Sequence, residues 1–218
     1  MPTTTFIAYD FEIGGTLPQN LEGAVRKSST EYPIRWPGDP TGQSQGAIWN
    51  TIVRPGIAAA DRLLAFVDLP NANVGFEVGY GLGLGKAVGL ARVRDALPAW
   101  VQAPPLHGFL CPRLMTPQSI RTQVTTPADQ WNQLTDTPTR GPGVLLLCPT
   151  VTGASFLDEL PEEWGWKTPP QSGWDLHTLP ELLEGVGLVV WVLTPHNQGD
   201  DGRDGPENAQ LAVVAGYV

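Results

Sequence analysis

The sequence predicts an α/β fold built on a mostly parallel sheet. Short apolar runs typical of buried strands recur along the chain, and stretches of helical character separate them. Hydrophobic residues make up 41% of the 218 residues and charged residues 16%, so the chain has enough apolar material for a packed core. These observations place the chain among folded α/β proteins and exclude global disorder.

In the first half of the chain, strand-like and helix-like segments alternate. The predicted strands are 3–11, 61–68 and 86–93, with 107–114 as an added edge strand. The predicted helices are 17–29, 47–60 and the stretch "LPNANVGFEVGYGLGLGKAV" within 69–88. Pro55 must start or kink the second helix. The Pro- and Gly-rich residues 30–46 form a long loop, a length that is often functional.

The second half follows a similar order after a Pro- and Thr-rich connector at 125–142. Its predicted strands are 143–150 and 187–194, and its predicted helices are 155–164, 179–186 and 208–218. Asn73 and Asn208 occupy the same place in the two orders, which favours a degenerate internal repeat. We therefore predict one domain at 1–105, a connector at 106–142 and a second, degenerate copy at 143–218.

Glu77 is the single carboxylate in an apolar, glycine-rich segment. Asp68 closes the preceding strand, and Asn71 or Asn73 can cap the helix that follows, so Glu77 lies about one turn inside it. The positive helix N-terminus is expected to keep Glu77 ionised. An ionised carboxylate there can stabilise or attack a sugar carbon with oxocarbenium character. The alternative interpretation is a Glu that only complements the helix dipole. The glycines are expected to let the helix pack closely on the sheet.

The pattern D-x-x-N-A-N-V-G-F-E-V-G-Y-G-L-G-L-G-K, starting at Asp68, is similar to the signature of the nucleoside 2-deoxyribosyltransferase family and its bacterial TIR-like relatives. "FIAYDF" and "AADRLLAFVD" resemble the first and central strands of that family. The resemblance implies a flavodoxin-like, doubly wound sheet. Together with the similar order of elements in the two halves, this predicts two degenerate repeats packed as a pseudo-dimer. It also implies that Glu77 is the catalytic carboxylate of N-glycosidic cleavage. The substrate-binding residues it implies are Tyr9, Asp10, Phe11, Asp68, Asn71 and Asn73.

Two positions depart from the family pattern. Val53 and Arg54 stand where the transferases carry an acidic residue, and Asn71 stands where a second pocket acid can occur. The expected activity is therefore cleavage, or transfer, at the N-glycosidic bond of a nucleoside, nucleotide or NAD-like molecule, with hydrolysis favoured over transfer. The alternatives are a non-catalytic nucleotide-sensing module, for which the TIR-like resemblance implies a setting in antiphage defence, and a structural scaffold.

Other features of the sequence narrow the partners. A formal net charge of −9 argues against binding of nucleic acid through its phosphates. The three histidines do not cluster, so we expect no metal, and nothing indicates another cofactor. "GLGLGK" (81–86) lacks phosphate-loop spacing and is interpreted as packing and helix capping. Cys111 and Cys148 are interpreted as buried, reduced thiols. No apolar run reaches membrane-spanning length, so we expect a cytoplasmic protein. We also expect a homo-oligomer.

Overall fold

A computed structural model describes most of the chain, and it shows an α/β protein with two parallel sheets. The described residues are 3–9, 34–35, 45–127, 130–134, 138–147, 166–168, 175, 178–191 and 206–217. The predicted helices at 17–29 and 155–164 lie outside these ranges. The α/β prediction is confirmed.

The first sheet has four parallel strands in the order β2-β1-β3-β4. The strands are β1 (Thr5–Ala8), β2 (Ile34–Arg35), β3 (Arg62–Phe66) and β4 (Ala87–Ala91). Successive side chains of β3 enter different cores: Leu63 packs in one apolar cluster and Leu64 in another. Because both faces of the sheet are covered, its strands read as unbroken apolar runs in the sequence.

Helical segments flank this sheet. They are α1 (Gln45–Ile48), a π-helical turn (Trp49–Val53), α2 (Arg54–Ala59), α3 (Ala72–Gly83), a 3₁₀ turn (Ala99–Val101) and α4 (Pro117–Thr125). Pro55 lies in the first turn of α2, where its missing N–H has no helical partner to lose. It therefore starts a helix, as predicted. The predicted helix at 47–60 is divided into three segments by the π-helical turn.

The second sheet has three parallel strands in the order β6-β5-β7. They are β5 (Gly143–Leu147), β6 (Trp166–Lys167) and β7 (Val186–Trp191), and the helices of this half are α5 (Leu179–Leu183) and α6 (Pro206–Tyr217). The order β6-β5-β7 parallels β2-β1-β3 of the first sheet. The internal repeat and the domain boundaries drawn from it stay a prediction.

Helix α3 packs most extensively against α6, through glycines that lie one turn apart. A Cβ added at Gly75, Gly79 or Gly83 would overlap a backbone carbonyl of α6. The facing carbonyls belong to Ala209, Val213 and Tyr217, in that order. The contacts advance in the same direction on both helices, so the helices run parallel. Backbone-to-backbone contact of this kind needs residues without side chains.

The sequence predicts that the glycines of α3 pack on the sheet. This is wrong for three of its four glycines, which face α6 instead. Gly81 faces the sheet, where an added Cβ would lie 3.0 Å from Leu63 Cδ2. Gly85 follows the helix with φ of 69°, and its N–H donates to the Leu82 carbonyl (2.8 Å). This left-handed position ends α3. The interpretation of "GLGLGK" as packing and capping is confirmed.

The prediction of an edge strand at 107–114 is wrong. Residues 107–114 form no strand; Gly108 has φ of 87°, Pro112 lacks an N–H, and the segment makes an isolated bridge between Arg113 and Arg92. The connector also contains α4, which begins with a capping box between Thr116 and Ser119 and has Pro117 in its first turn. Thr followed by Pro is a helix-start signal that was overlooked in the sequence.

Candidate functional site

Helix α3 begins at Ala72, four residues after Asp68, and follows the central strand β3. The side chain of Asn71 caps it: Asn71 Oδ1 accepts a hydrogen bond from the Val74 N–H (3.0 Å). Asn71 is buried, whereas Asn73 is exposed, so the cap is Asn71. Glu77 follows within the second turn of the helix. The prediction that Glu77 lies in the first two turns of a helix just beyond a central strand is confirmed.

The Glu77 side chain is buried, with 7% of its surface exposed. Its Oε2 atom has no hydrogen-bond partner among the residues that the structure describes. Burial raises the pKa of this carboxyl from its ordinary value of 4.5 to about 8. Glu77 is therefore neutral at pH 7, and the expectation that it is ionised is wrong. The helix dipole weakens beyond the first turn, so desolvation prevails over it.

An aromatic cluster adjoins Glu77 on α3. Tyr80 lies three positions after Glu77, a spacing that makes the two side chains neighbours on the helix surface. The Trp49 ring meets the rings of Phe76 and Tyr80 edge to face, with centroids 5.0 and 5.3 Å apart. Trp49 opens the π-helical turn, and such turns are frequent at functional sites. In the sequence, Trp49 flanks the long loop at 30–46; core packing is the default interpretation of such a tryptophan, although one that lies beside a pocket can stack on a base.

The carboxyl ends of the two central strands, β1 and β3, lie side by side, since Ala8 pairs with Ala65. Tyr9 follows β1 directly and is half-buried. Asp10 and Phe11 lie outside the described residues, so a pocket lined by residues 9–11 stays a prediction. Asp68 and Asn71 follow β3 at this same edge. The structure thus brings Tyr9, Asp68 and Asn71 to one end of the sheet.

The Asp68 carboxylate has a structural partner set of its own. It accepts hydrogen bonds from the backbone N–H groups of Val93 (2.9 and 3.0 Å) and Arg94 (2.7 Å). These bonds fix the chain where it leaves β4. The Asp68 carboxylate therefore holds the loop after β4 in place. Any contact of Asp68 with a substrate would be additional to this structural role.

Nearby, Cys111 is partly buried, and desolvation raises the pKa of its thiol to about 12, with Arg92 lowering and Asp68 raising it. The thiol is therefore protonated and unreactive at neutral pH. Cys148 lies outside the described residues. In the part of the chain described by the structure, no three His, Cys, Asp or Glu side chains converge as a metal site. No described helix is long and apolar enough to span a bilayer.

Substitutions of Asn71 and Asn73 should show which of the two side chains caps α3. We expect Asn71→Ala to lower the free energy of unfolding by about 1 kcal/mol, because the Val74 N–H loses its acceptor. Asn71→Asp keeps an acceptor and should stay near wild type. Asn73→Ala is the matched control, since Asn73 is exposed, and should change stability by less than about 0.5 kcal/mol. Urea unfolding measures all three; equal losses for Asn71→Ala and Asn73→Ala would contradict the capping assignment.

The sequence matches no family model and no curated protein. The geometry around Glu77 therefore has to support any function assigned to the protein.

Proposed function

We propose that the protein cleaves the N-glycosidic bond of a nucleoside, a nucleotide or an NAD-like molecule, with Glu77 as the catalytic carboxylate. The observation that supports this most is the Glu77 carboxyl itself. It is buried, its Oε2 has no partner among the described residues, and it lies on the helix that follows a central strand. A buried carboxyl without a structural partner is destabilising by about 1–3 kcal/mol, so its retention favours a functional role.

The topology supports a ligand at this place. We propose a flavodoxin-like sheet, because the order β2-β1-β3-β4 agrees with the first four strands of that topology. In such sheets the chain reverses its direction of growth between β1 and β3. Ligands bind beyond the carboxyl ends of the strands at this point. Tyr9 and Asn71 follow these two strand ends.

The chemistry requires Glu77 to become charged during the reaction. When the bond from the sugar to the base breaks, the sugar carbon acquires oxocarbenium character. A positive charge beside a carboxyl lowers its pKa, so the developing cation favours ionisation of Glu77. The ionised carboxylate then stabilises the sugar cation or attacks it. The attraction is strong in a site without water because the local dielectric is low.

Binding without turnover is the second candidate function. It is favoured by the hydrogen bonds of Asp68, whose carboxylate is engaged by the backbone of Val93 and Arg94 rather than free for chemistry. Val53 and Arg54 also stand where the transferases carry an acid. A protein of this kind would hold a nucleotide at Glu77 and transmit its presence to a partner.

The two functions are separated by an assay of base release. Wild type is incubated with a panel of nucleosides, nucleotides and NAD, and free base is measured by chromatography. We expect release from at least one compound and a loss of about 10²-fold or more in Glu77→Gln, which has the same shape but no charge. Glu181→Gln, an exposed change, is the control and should keep full activity. Full activity in Glu77→Gln would refute the mechanism; ligand binding without release would leave the binding function.

A further inference from the structure

Strand β7 forms an edge of the second sheet and exposes apolar residues there. It pairs with β5 on one side, and in the part of the chain that the structure describes no strand pairs with its other side. Leu188 is 55% exposed, and Val189 and Val190 are half-buried. In β3, whose outer side pairs with β4, Leu63 and Leu64 are fully buried. The second sheet therefore presents an apolar strand edge where the first sheet has a further strand.

The residues of this edge do not hinder pairing with another strand. Open strand edges are a template for pairing, and proteins protect them with Lys, Pro, inward-pointing charges or bulges. The sequence of β7, VGLVVW, contains no charged residue and no proline. Its one irregularity is at Gly187, near the start of the strand, and Leu188–Trp191 continue in regular register with β5. An edge of this composition is suited to accept a strand from another molecule.

Among the described strands, β7 itself is the best partner for this edge. The edge strands β2 and β6 have only two residues each. The outer side of β4 is bridged by Asn132 and Arg113. A second copy of β7 has the same length and the same apolar composition. Antiparallel pairing of two copies of one strand follows a two-fold axis and closes the assembly at a dimer, whereas pairing of unlike edges would continue into a fibre.

The distribution of charge also favours this edge as the place where two copies meet. The net charge of −9 makes two copies repel each other. Between Glu184 and Asp200, however, the sequence contains no Asp, Glu, Lys or Arg. In an antiparallel pair, the Glu184 side chains of the two copies lie at opposite ends of the paired strands. Two β7 strands can therefore pair without bringing like charges together.

We propose that the protein forms a homodimer in which the β7 strands of two copies pair in an antiparallel manner and join their second sheets into one. The exposed Leu188 side chain of each copy is then covered by apolar side chains of the strand opposite. A strand pair alone buries less than the roughly 1,200 Å² of a standard interface. The dimer is therefore reversible, with a Kd in the micromolar range. It does not depend on the proposed cleavage.

Substitution of Leu188 by a charged residue tests the interface. Wild type, Leu188→Lys and Leu110→Lys are compared by sedimentation velocity at protein concentrations from about 1 to 200 µM, which bracket a micromolar Kd. Leu110 is the matched control, since it is 75% exposed and lies outside the strands. We expect wild type and Leu110→Lys to pass from monomer to dimer. Leu188→Lys should weaken the dimer at least about 10-fold, because it brings two like charges to an apolar strand pair.

Hydrogen exchange of wild type gives a second readout, which a dimer through another surface would not change. The β7 amides that point away from β5 should exchange more slowly at the concentrations at which the dimer forms. Urea unfolding of both variants at low concentration checks that the substitutions leave the fold intact. A wild type that stays monomeric, equal dimerisation of wild type and Leu188→Lys, or dimerisation without slower exchange in β7 would overturn the proposal.

Discussion

Gly79→Ala is expected to destabilise the protein by roughly 2–3 kcal/mol, the range of overpacked cores. The added methyl group would overlap the carbonyl oxygen of Val213 and lie 2.8 Å from the backbone nitrogen of Tyr217. Backbone atoms of a packed helix cannot move aside as the end of a flexible side chain can. Helices α3 and α6 would have to separate, and the apolar residues around them would lose contact.

The matched control is Gly46→Ala in α1, where an added Cβ has no atom within 4 Å. In a helix, Ala is intrinsically favoured over Gly by about 1 kcal/mol, so this variant should equal or exceed wild type. Thermal unfolding followed by circular dichroism compares the two. For a chain of this size, we expect Gly79→Ala to lower the melting temperature by about 4–12 °C. A melting temperature of Gly79→Ala at or above that of wild type would show that the two helices are not in backbone contact.

Glu77→Gln is expected to change the pH dependence of the free energy of unfolding. In wild type, the pKa of Glu77 is raised to about 8 in the folded state by burial, against an ordinary value of 4.5. Between these pH values, the unfolded chain has lost the proton and the folded protein still holds it. The contribution of Glu77 to stability is therefore complete below pH 4.5 and is lost as the pH rises to about 8.

This loss amounts to roughly 1.4 kcal/mol per pH unit, or about 3 kcal/mol at pH 7. Glu77→Gln has no proton to lose, so its stability relative to wild type should rise by this amount between pH 4.5 and 7. Urea unfolding at several pH values measures the difference, and Glu181→Gln serves as the exposed control. A constant difference between wild type and Glu77→Gln across this range would contradict the burial of an unpaired Glu77. A functional carboxyl that destabilises its own fold is common at active sites.

Local signals in the sequence were sufficient to predict much of the fold. The apolar runs at 61–68 and 86–93 became β3 and β4, because unbroken apolar strands need a sheet covered on both faces. Asn71 followed by an apolar helix predicted the start of α3. The glycine-rich stretch after Glu77 predicted its end.

What the sequence could not supply depends on contacts between distant segments. The glycines of α3 meet α6, more than a hundred residues away, and periodicity within α3 does not identify which surface a glycine faces. The protonation of Glu77 likewise depends on contacts between distant segments. Its charge depends on how completely the surrounding elements exclude water, which the helix dipole alone does not predict. The likeness to nucleoside 2-deoxyribosyltransferases stays a resemblance carried by a short motif.

The most direct test of the account is a titration of the Glu77 carboxyl itself. Carboxyl ¹³C resonances of labelled Glu are followed with pH, and the Glu77 resonance is identified by its absence in Glu77→Gln. We expect a midpoint of about 8 in the free protein, as burial requires. A midpoint near the ordinary 4.5 would contradict a buried Glu77.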